Sequence, residues 1–394
     1  MYRIKLFIFF AGMLISTLLS AQTNMTFEEV NTKSYSLYEK GNWKELLQFG
    51  DNAIGSGQDF ILLRLRLGYA AYMLNNFSIS IKHYEAVIKE DSYNATAHYY
   101  LFLCKKYLNH EALADRHAKY LSEEVLKNEN LNAFALTDVG LEVSYKQTDI
   151  KARENSLYAR LDLGTRLGLN IHMVNALGMY NQVVRESKLT AVVNNNNIQV
   201  NQKEYYNKTL INVSNKVQLK AIYHFLNTPF NNFVYSNHVG GLGLTYFNHY
   251  YDISADANIA KLTDSTYYQY NVKLGLYPLG NLNFYSFSTG ILRTNSNTGT
   301  AFNIKQVIGF KLMKKTWVEV NGTFGEFNNL LENDALYVYN AIDKNTFKAG
   351  GTLYVTPTSN LVLTAGYTYE KRELYKTLLP FNQHSITGGL SWKL

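Results

Sequence analysis

From about residue 132 onward, apolar and polar residues alternate one by one along the chain. Near the C-terminus, Ile386, Leu390 and Trp392 fall in one register, while Gln383 and Lys393 fall in the other. Because successive side chains of a β-strand point to opposite faces, this alternation predicts strands with one apolar and one polar face. The alternating segments run for ~9–13 residues, whereas strands in globular proteins typically have ~5–6.

Strands of this length match the ~9–11 residues that a strand needs to cross a membrane. An apolar face with aromatic ends, opposite a polar and often charged face, is typical of an outer-membrane barrel. A soluble sandwich, in which the apolar faces of two sheets pack together, is the alternative. The fourteen predicted strands are 134–145, 155–167, 171–184, 204–213, 216–227, 235–247, 250–262, 265–277, 282–294, 300–312, 316–326, 345–356, 360–371 and 382–394.

Short turns and longer polar loops join the predicted strands in strict alternation. Outer-membrane barrels have short periplasmic turns and longer outer loops. An even number of strands places both ends of the barrel on the short-turn side, so a preceding domain is expected in the periplasm. The predicted longer loops are 146–154, 186–203, 228–234, 295–299, 327–344 and 372–380.

Residues 1–21 have the pattern of an export signal that is cleaved after Ala21. Arg3 and Lys5 precede an apolar run over residues 6–19, which is short for crossing ~30 Å of hydrocarbon. Beyond residue 22 no run of ~18 apolar residues follows, so the sequence predicts no transmembrane helix. We expect the protein in the outer membrane of a diderm bacterium, in contact with its lipids.

Residues 22–130 contain helix-forming residues, few glycines and apolar positions at helical spacing. A self-alignment gives a period of 34 residues, with blocks that begin at Phe27, Ile61 and Ala95. The predicted turn residues are Gly41, Asn75 and Asn109, and the predicted core positions of the second helices are Leu46, Gly50, Ala53, Ser80, Tyr84, Val87, Ala114, Ala118 and Leu121.

The middle block carries Leu67, Gly68, Ala71 and Tyr84 at spacings that resemble the tetratricopeptide repeat. The first and third blocks have other residues in place of the Leu-Gly pair. The resemblance implies an α-solenoid whose concave face binds a protein segment, here a periplasmic or envelope protein. A helical spacer without a partner is the alternative.

The last strand carries Thr387, Gly389, Trp392 and Leu394, which resemble the C-terminal assembly signal of outer-membrane barrels, with Leu394 in place of the usual Phe. The resemblance implies recognition by the barrel-assembly machinery through edge pairing of this strand. An export signal, helical repeats and a barrel, in this order, resemble the YaiO-type repeat-plus-barrel proteins. This second resemblance implies a role in envelope biogenesis or export.

Composition and motifs exclude several kinds of site. The single cysteine, Cys104, excludes a disulfide framework, and we expect it to be a small buried apolar residue. The net charge of +7 is spread along the chain, so nucleic acid is not expected as a partner. His110 and His117 are too far apart on a helix to share one metal, and we expect a solvated helix surface. We therefore predict no catalytic, metal or cofactor residue, and no enzyme.

The predicted polar face carries one set of positively and negatively charged residues. Inside the barrel they avoid the cost of ~2–4 kcal/mol that Lys or Arg meets at the centre of the lipid-facing surface. They either form a hydrogen-bonded network that stiffens the barrel or line a solute path with a fixed-charge constriction. The residues are Glu142, Arg160, Asp162, Arg166, Lys216, Lys220, Asp252, Asp256, Lys273, Glu319, Lys348 and Lys393.

The sequence thus predicts an α+β chain of two domains, a tetratricopeptide-like α-solenoid over residues 22–130 and an antiparallel transmembrane β-barrel over residues 131–394. The leading hypothesis is a non-enzymatic outer-membrane protein whose periplasmic repeats bind a protein partner in envelope biogenesis, export or transport. The first alternative is an outer-membrane diffusion channel for small solutes. The second is an outer-membrane enzyme that modifies lipid.

Overall fold

The computed structural model describes residues 25–394 except 187–195, 231–232, 264, 297–298, 340–342 and 376. The predicted export signal lies outside these residues. No helix within the described ranges is long and apolar enough to cross a membrane. The helices are α1 (Phe27–Glu39), α2 (Trp43–Gly55), α3 (Ile61–Met73), α4 (Phe77–Glu90), α5 (Ala95–Tyr107), α6 (Glu111–Asp115) and α7 (Glu123–Asn128), with a 3-10 turn at Ala118–Tyr120.

The first six helices begin at positions that repeat along the chain. The first helix of each pair begins at Phe27, Ile61 or Ala95, and the second at Trp43, Phe77 or Glu111. These starts reproduce the predicted 34-residue spacing. All the predicted core positions of the second helices are buried except Leu121, which is partly buried. Membership of the tetratricopeptide family stays a prediction.

Residues 25–100 form one compact unit of packed helices. Gly68 allows α3 to approach α4 closely, because a Cβ atom at this position would lie 2.7 Å from the ring of Tyr84. Tyr84 is fully buried and stacks on Tyr100 with the ring centroids 5.1 Å apart. The small residue and the ring therefore fit each other at the centre of this unit.

We expect Gly68→Ala to lower the free energy of unfolding of the helical unit by about 1–3 kcal/mol, because the methyl group overlaps the Tyr84 ring. Gly55→Ala is the matched control, since no atom lies within 4 Å of a Cβ added there. Thermal unfolding of the full-length protein, followed by helical circular dichroism, measures both variants. Equal melting temperatures would contradict this packing.

The rest of the chain forms a closed antiparallel barrel of 14 strands among the described residues, which confirms the predicted number. Strand β16 pairs with β1 and closes the ring, and β12 and β13 form a separate hairpin. The strands are β1 (Phe134–Thr148), β2 (Arg153–Leu167), β3 (Ile171–Glu186), β4 (Asn196–Asn212), β5 (Val217–Phe230), β6 (Phe233–Phe247), β7 (Tyr251–Leu262), β8 (Ser265–Leu276), β9 (Phe284–Asn295), β10 (Gly299–Met313), β11 (Thr316–Phe327), β12 (Leu331–Glu332), β13 (Tyr337–Val338), β14 (Lys344–Val355), β15 (Leu361–Glu373) and β16 (Pro380–Lys393).

The outer face of the barrel is apolar and exposed. Leu242, Val272 and Ile386 expose 71%, 58% and 66% of their surface, whereas the inward residues Lys220 and Gln269 are buried. A continuous apolar belt of this kind is stable in contact with lipid, and a closed ring leaves no unpaired strand edge there. The barrel therefore has the construction of a membrane-spanning protein.

Two expectations about the connections are wrong. Residues 196–203, expected in a long loop, belong to β4, where Ile198 pairs with Val184 of β3. Their Asn- and Gln-rich composition hid the strand, because a hairpin that projects beyond the lipid needs no apolar outer face. Short and long connections also do not alternate strictly, since the β8–β9 connection (277–283) is longer than the β5–β6 connection (231–232).

Candidate functional site in the barrel lumen

Part of the chain between β11 and β14 folds into the barrel, although the sequence predicts a polar outer loop there. Residues 328–339, called the infolded segment below, carry the hairpin of β12 and β13. Leu331 and Ala335 of this segment are buried in an apolar cluster with Ile222 and Val239 of the wall. The segment therefore reaches strands β5 and β6, which lie far around the ring from its own ends.

Glu332 of β12 binds lysines on β10 and β14. Its carboxylate lies 2.6 Å from Lys348 Nζ and 3.9 Å from Lys305 Nζ, and it accepts a hydrogen bond from the Thr323 hydroxyl at 3.2 Å. The Glu332 side chain is only 3% exposed. Since buried charges are stable only when they are paired, these contacts hold β12 against the wall.

Asp334, two residues further on, binds a second pair of lysines. Its carboxylate lies 3.2 Å from Lys208 Nζ and also contacts Lys220, which in turn pairs with Asp256 at 3.1 Å. The Tyr206 hydroxyl donates to the Asp334 carbonyl oxygen at 2.9 Å. Residues 332–335 are called the tip of the infolded segment below. The tip thus places two carboxylates among ammonium groups of the wall.

Backbone contacts fix the same segment. Gln269 forms two hydrogen bonds with Leu331, donating to its carbonyl oxygen at 2.7 Å and accepting from its N–H at 3.0 Å. His224 Nδ1 lies 2.7 Å from the carbonyl oxygen of Ala335 and therefore donates to it. The three residues 333–335 have φ angles of 51°, 58° and 57°. Asn and Asp tolerate the left-handed conformation better than other residues with a Cβ atom, so the strain of the docked tip lies mainly at Ala335.

The wall lysines control the ionisation of the tip. Burial raises the pKa of Glu332, but ion pairing with Lys305 and Lys348 outweighs it and holds the pKa at about 2. Burial also raises the pKa of Asp334, and its own lysine neighbours hold it well below the ordinary value. Both carboxylates are therefore ionised at neutral and mildly acidic pH.

We expect the infolded segment to stay docked from pH 8 down to about 5. A carboxyl with a depressed pKa stabilises the docked state fully above its ordinary pKa of 4.5, and this stabilisation is lost as the pH falls towards about 2. The mobility of a nitroxide attached to Leu336→Cys, in a Cys104→Ala background, measures docking. Release already at pH 6 would contradict a segment held by these two carboxylates.

Three of the predicted lumen charges form one group with the infolded segment. Arg160 pairs with Asp162 at 2.8 Å and with Glu142 at 3.4 Å. The Tyr337 hydroxyl donates to Glu142 at 2.8 Å, and the Arg160 guanidinium lies 5.0 Å from the centre of the Tyr337 ring. These contacts tie β13 to β1 and β2.

Two further predicted acids are held by tyrosines. The Tyr277 hydroxyl donates to Asp252 at 2.6 Å, and Glu319 accepts from both Tyr285 and Tyr354 at 2.8 Å. All three tyrosines point into the barrel. Their hydroxyl groups donate hydrogen bonds that stabilise the carboxylates there.

The remaining predicted residues lie partly beside the tip and partly at the short-turn end of the barrel. Lys273 lies 5.3 Å from the centre of the Phe287 ring, and Arg166 and Lys393 contact the helical segment described below. Lys216 lies in the β4–β5 turn, one residue before β5 begins. Lys220, Asp256 and Lys348 belong to the tip contacts described above.

Sequence reasoning missed both acids of the tip and two of the four lysines that contact them. Glu332 and Asp334 were assigned to an outer loop, and Lys208 and Lys305 were not singled out. The available signal was the apolar content of the supposed loop, in which Leu330, Leu331, Leu336 and Val338 are too many for a solvated connection.

A second set of contacts joins residues 101–131 to the short-turn end of the barrel. Asp115 of α6 pairs with Arg166 of β2, and the side chains are 5% and 9% exposed. Asn212 at the end of β4 donates to the Ala112 carbonyl oxygen, and Glu111 pairs with Lys393 of β16. Residues 101–131 belong to the same compact unit as the barrel, and this unit begins inside α5, at Leu101. These residues are called the helical cap below.

The expectation of a solvated surface at His110 and His117 is wrong. His117 is 1% exposed, and His110 packs on Phe247 and Tyr277 with ring centroids 4.8 Å and 5.7 Å apart. Burial lowers the pKa of His110 to about 3 and keeps it neutral. The helix pattern could not reveal this, because the covering groups come from the barrel. Cys104 is buried and reduced, as predicted.

The predicted assembly residues lie on β16 at the seam of the ring. Trp392 and Leu394 expose 45% and 48% of their surface on the outer face. Thr387 donates a hydrogen bond to Ser144 of β1 at 2.9 Å, and a Cβ at Gly389 would lie 2.6 Å from Thr364 Oγ1. Their recognition by assembly machinery stays a prediction.

A closed barrel with an apolar belt, an infolded segment and a helical cap defines a transmembrane β-barrel of the outer-membrane class. The chain is similar to the Pseudomonas putida toluene transporter TodX (9% identity, 66% of this chain and 89% of that chain, TM-score 0.46). It is also similar to a bacterial polysaccharide outer membrane secretin (8%, 66% and 98%, TM-score 0.41). A third similar structure is the Acinetobacter baumannii outer membrane protein Omp33 (8%, 66% and 99%, TM-score 0.39).

No protein-family model matches the sequence, and no curated protein matches it. The resemblance to YaiO-type proteins therefore stays a prediction.

Proposed function

We propose that this protein is an outer-membrane channel for small polar solutes, with the infolded segment as its constriction. The observation that supports the proposal is the insertion of Glu332 and Asp334 among wall lysines. A pore narrowed by opposed fixed charges selects solutes by size and charge. A lumen filled only for rigidity gains little from buried ion pairs, because apolar packing of similar volume is often as stable.

The helical cap adds a second barrier in series with the infolded segment. It contacts β2, β4 and β16 at the short-turn end. We therefore expect a small conductance in the wild type, with the infolded segment and the cap both limiting passage. In this proposal the short-turn end faces the periplasm.

Planar-bilayer recordings of the full-length protein test the channel. Replacing residues 329–339 by a short glycine–serine linker should raise the single-channel conductance several-fold, because it removes the constriction. A second variant adds Asp115→Asn to loosen the helical cap. Heat-modifiable migration in electrophoresis verifies that both barrels are folded, and silence of both folded variants would refute the channel.

A second candidate, binding of an envelope protein by the helical repeats, is supported by apolar side chains exposed on α3. Leu62 and Met73 expose 50% and 43% of their surface and lie eleven residues apart, on one stripe of the helix. Photocrosslinking in cells from Leu62 should capture a protein that crosslinking from Lys44, an exposed residue on α2, does not. The same yield from both positions would contradict it.

A further inference from the structure

The contacts of the tip indicate which kind of solute the channel transports, and this inference rests on the proposed channel function. We propose that the tip is a built-in stand-in for the solute, and that the wall lysines it covers bind small organic anions with two carboxylates. These lysines are Lys208, Lys220, Lys305 and Lys348, called the lysine group below.

The lysine group is arranged as two pairs, each of which holds one carboxylate. Lys305 and Lys348 contact Glu332, while Lys208 and Lys220 contact Asp334. The two acids are two residues apart, so the wall presents neighbouring sites for two carboxylates on one short molecule. A free dicarboxylate can place one carboxylate at each lysine pair, as Glu332 and Asp334 do.

The charge balance of the wall favours an anionic ligand. Around the lysine group the wall supplies three carboxylates: Asp256 pairs with Lys220, while Glu319 and Glu370 act at longer range on Lys305 and Lys348. The four ammonium groups, together with Lys273 near Asp334, outnumber these carboxylates, so positive charge is in surplus once the tip departs. Because buried ammonium groups are costly without counter-charge, an open lumen requires anions at this position.

The backbone of the tip makes it displaceable. Asn333, Asp334 and Ala335 adopt left-handed conformations in succession, and none of them is glycine. The docked segment therefore bears a strain that a free dicarboxylate does not. A diffusing ligand with the same two charges can compete with the tip although the tip is tethered.

Calorimetric titration of the full-length protein in detergent with succinate tests the proposal. Wild-type protein should bind succinate weakly, because the tip occupies the lysine group. The double variant Glu332→Gln, Asp334→Asn should bind at least ten-fold more tightly, and adding Lys220→Gln should remove that gain. Lys311→Gln in the same background is the matched control, since Lys311 packs on Trp317 away from the tip.

Three outcomes would overturn the proposal. The first is equal affinity of the wild type and the double variant, and the second is retention of tight binding after Lys220→Gln. The third is tighter binding of inorganic phosphate, or of the neutral succinamide, than of succinate. Since the titration needs no current, silent bilayers would reject the channel alone, whereas conducting bilayers together with absent succinate binding would reject the anion site alone.

Discussion

Replacing Asp115 with alanine is expected to lower the free energy of unfolding of the barrel by about 3–5 kcal/mol, because it leaves a buried guanidinium without its carboxylate. Arg166 and Asp115 are 9% and 5% exposed, and His172 Nε2 lies 3.3 Å from the same carboxylate. Urea unfolding of the full-length protein in lipid vesicles, followed by tryptophan fluorescence, measures the loss.

Glu111→Ala is the control for Asp115→Ala. Glu111 lies on the same short helix and also pairs with a strand-end base, Lys393, but these side chains are 46% and 40% exposed. Exposed ion pairs contribute only about 0–1 kcal/mol, so the control should unfold almost as the wild type does. A similar loss in both variants would show that burial does not govern the attachment of the helical cap.

Glu332→Ala is expected to release the infolded segment. It removes the carboxylate that contacts both Lys348 and Lys305, whose side chains are only 11% and 15% exposed. A penalty of about 3–5 kcal/mol on the docked state raises the undocked population about a hundred-fold or more, at 1.4 kcal/mol per factor of ten. The nitroxide at Leu336→Cys, in the Cys104→Ala background, should then become mobile.

Glu326→Ala provides the comparison, since Glu326 precedes the infolded segment and pairs with Lys344 at 3.0 Å. Its side chain is 66% exposed, so its loss should leave the nitroxide immobile. Mobility in both variants, or in neither, would contradict a segment held by the buried Glu332 pairs.

The barrel was predictable because its signal is local. Alternation along one strand is visible in that strand alone, and ten or so residues suffice to show it. The strand count was therefore right, even though β4 begins eight residues before its predicted start, at Asn196 instead of 204. Residues 196–203 need no apolar outer face, so the alternation of apolar and polar residues is weak there.

The contents of the lumen were not predictable in the same way. Asp334 contacts Lys208 and Lys220, which are 126 and 114 positions away along the chain. No local pattern links such residues, and the apolar residues Leu330 and Leu331 show only that the loop is not a solvated connection, without showing which strands it contacts. The cap shows the same limit, because the rings that cover His110, those of Phe247 and Tyr277, come from the barrel.

By itself, the sequence determined a helical front with a 34-residue spacing and a barrel of 14 strands, because helical and strand periodicities are set by neighbouring residues. Only the tertiary structure decided that residues 328–339 turn inward and that residues 101–131 pack on the short-turn end. Closure of the ring brings distant charges within ion-pair distance, and burial then makes pairing obligatory. The candidate site is a product of that closure.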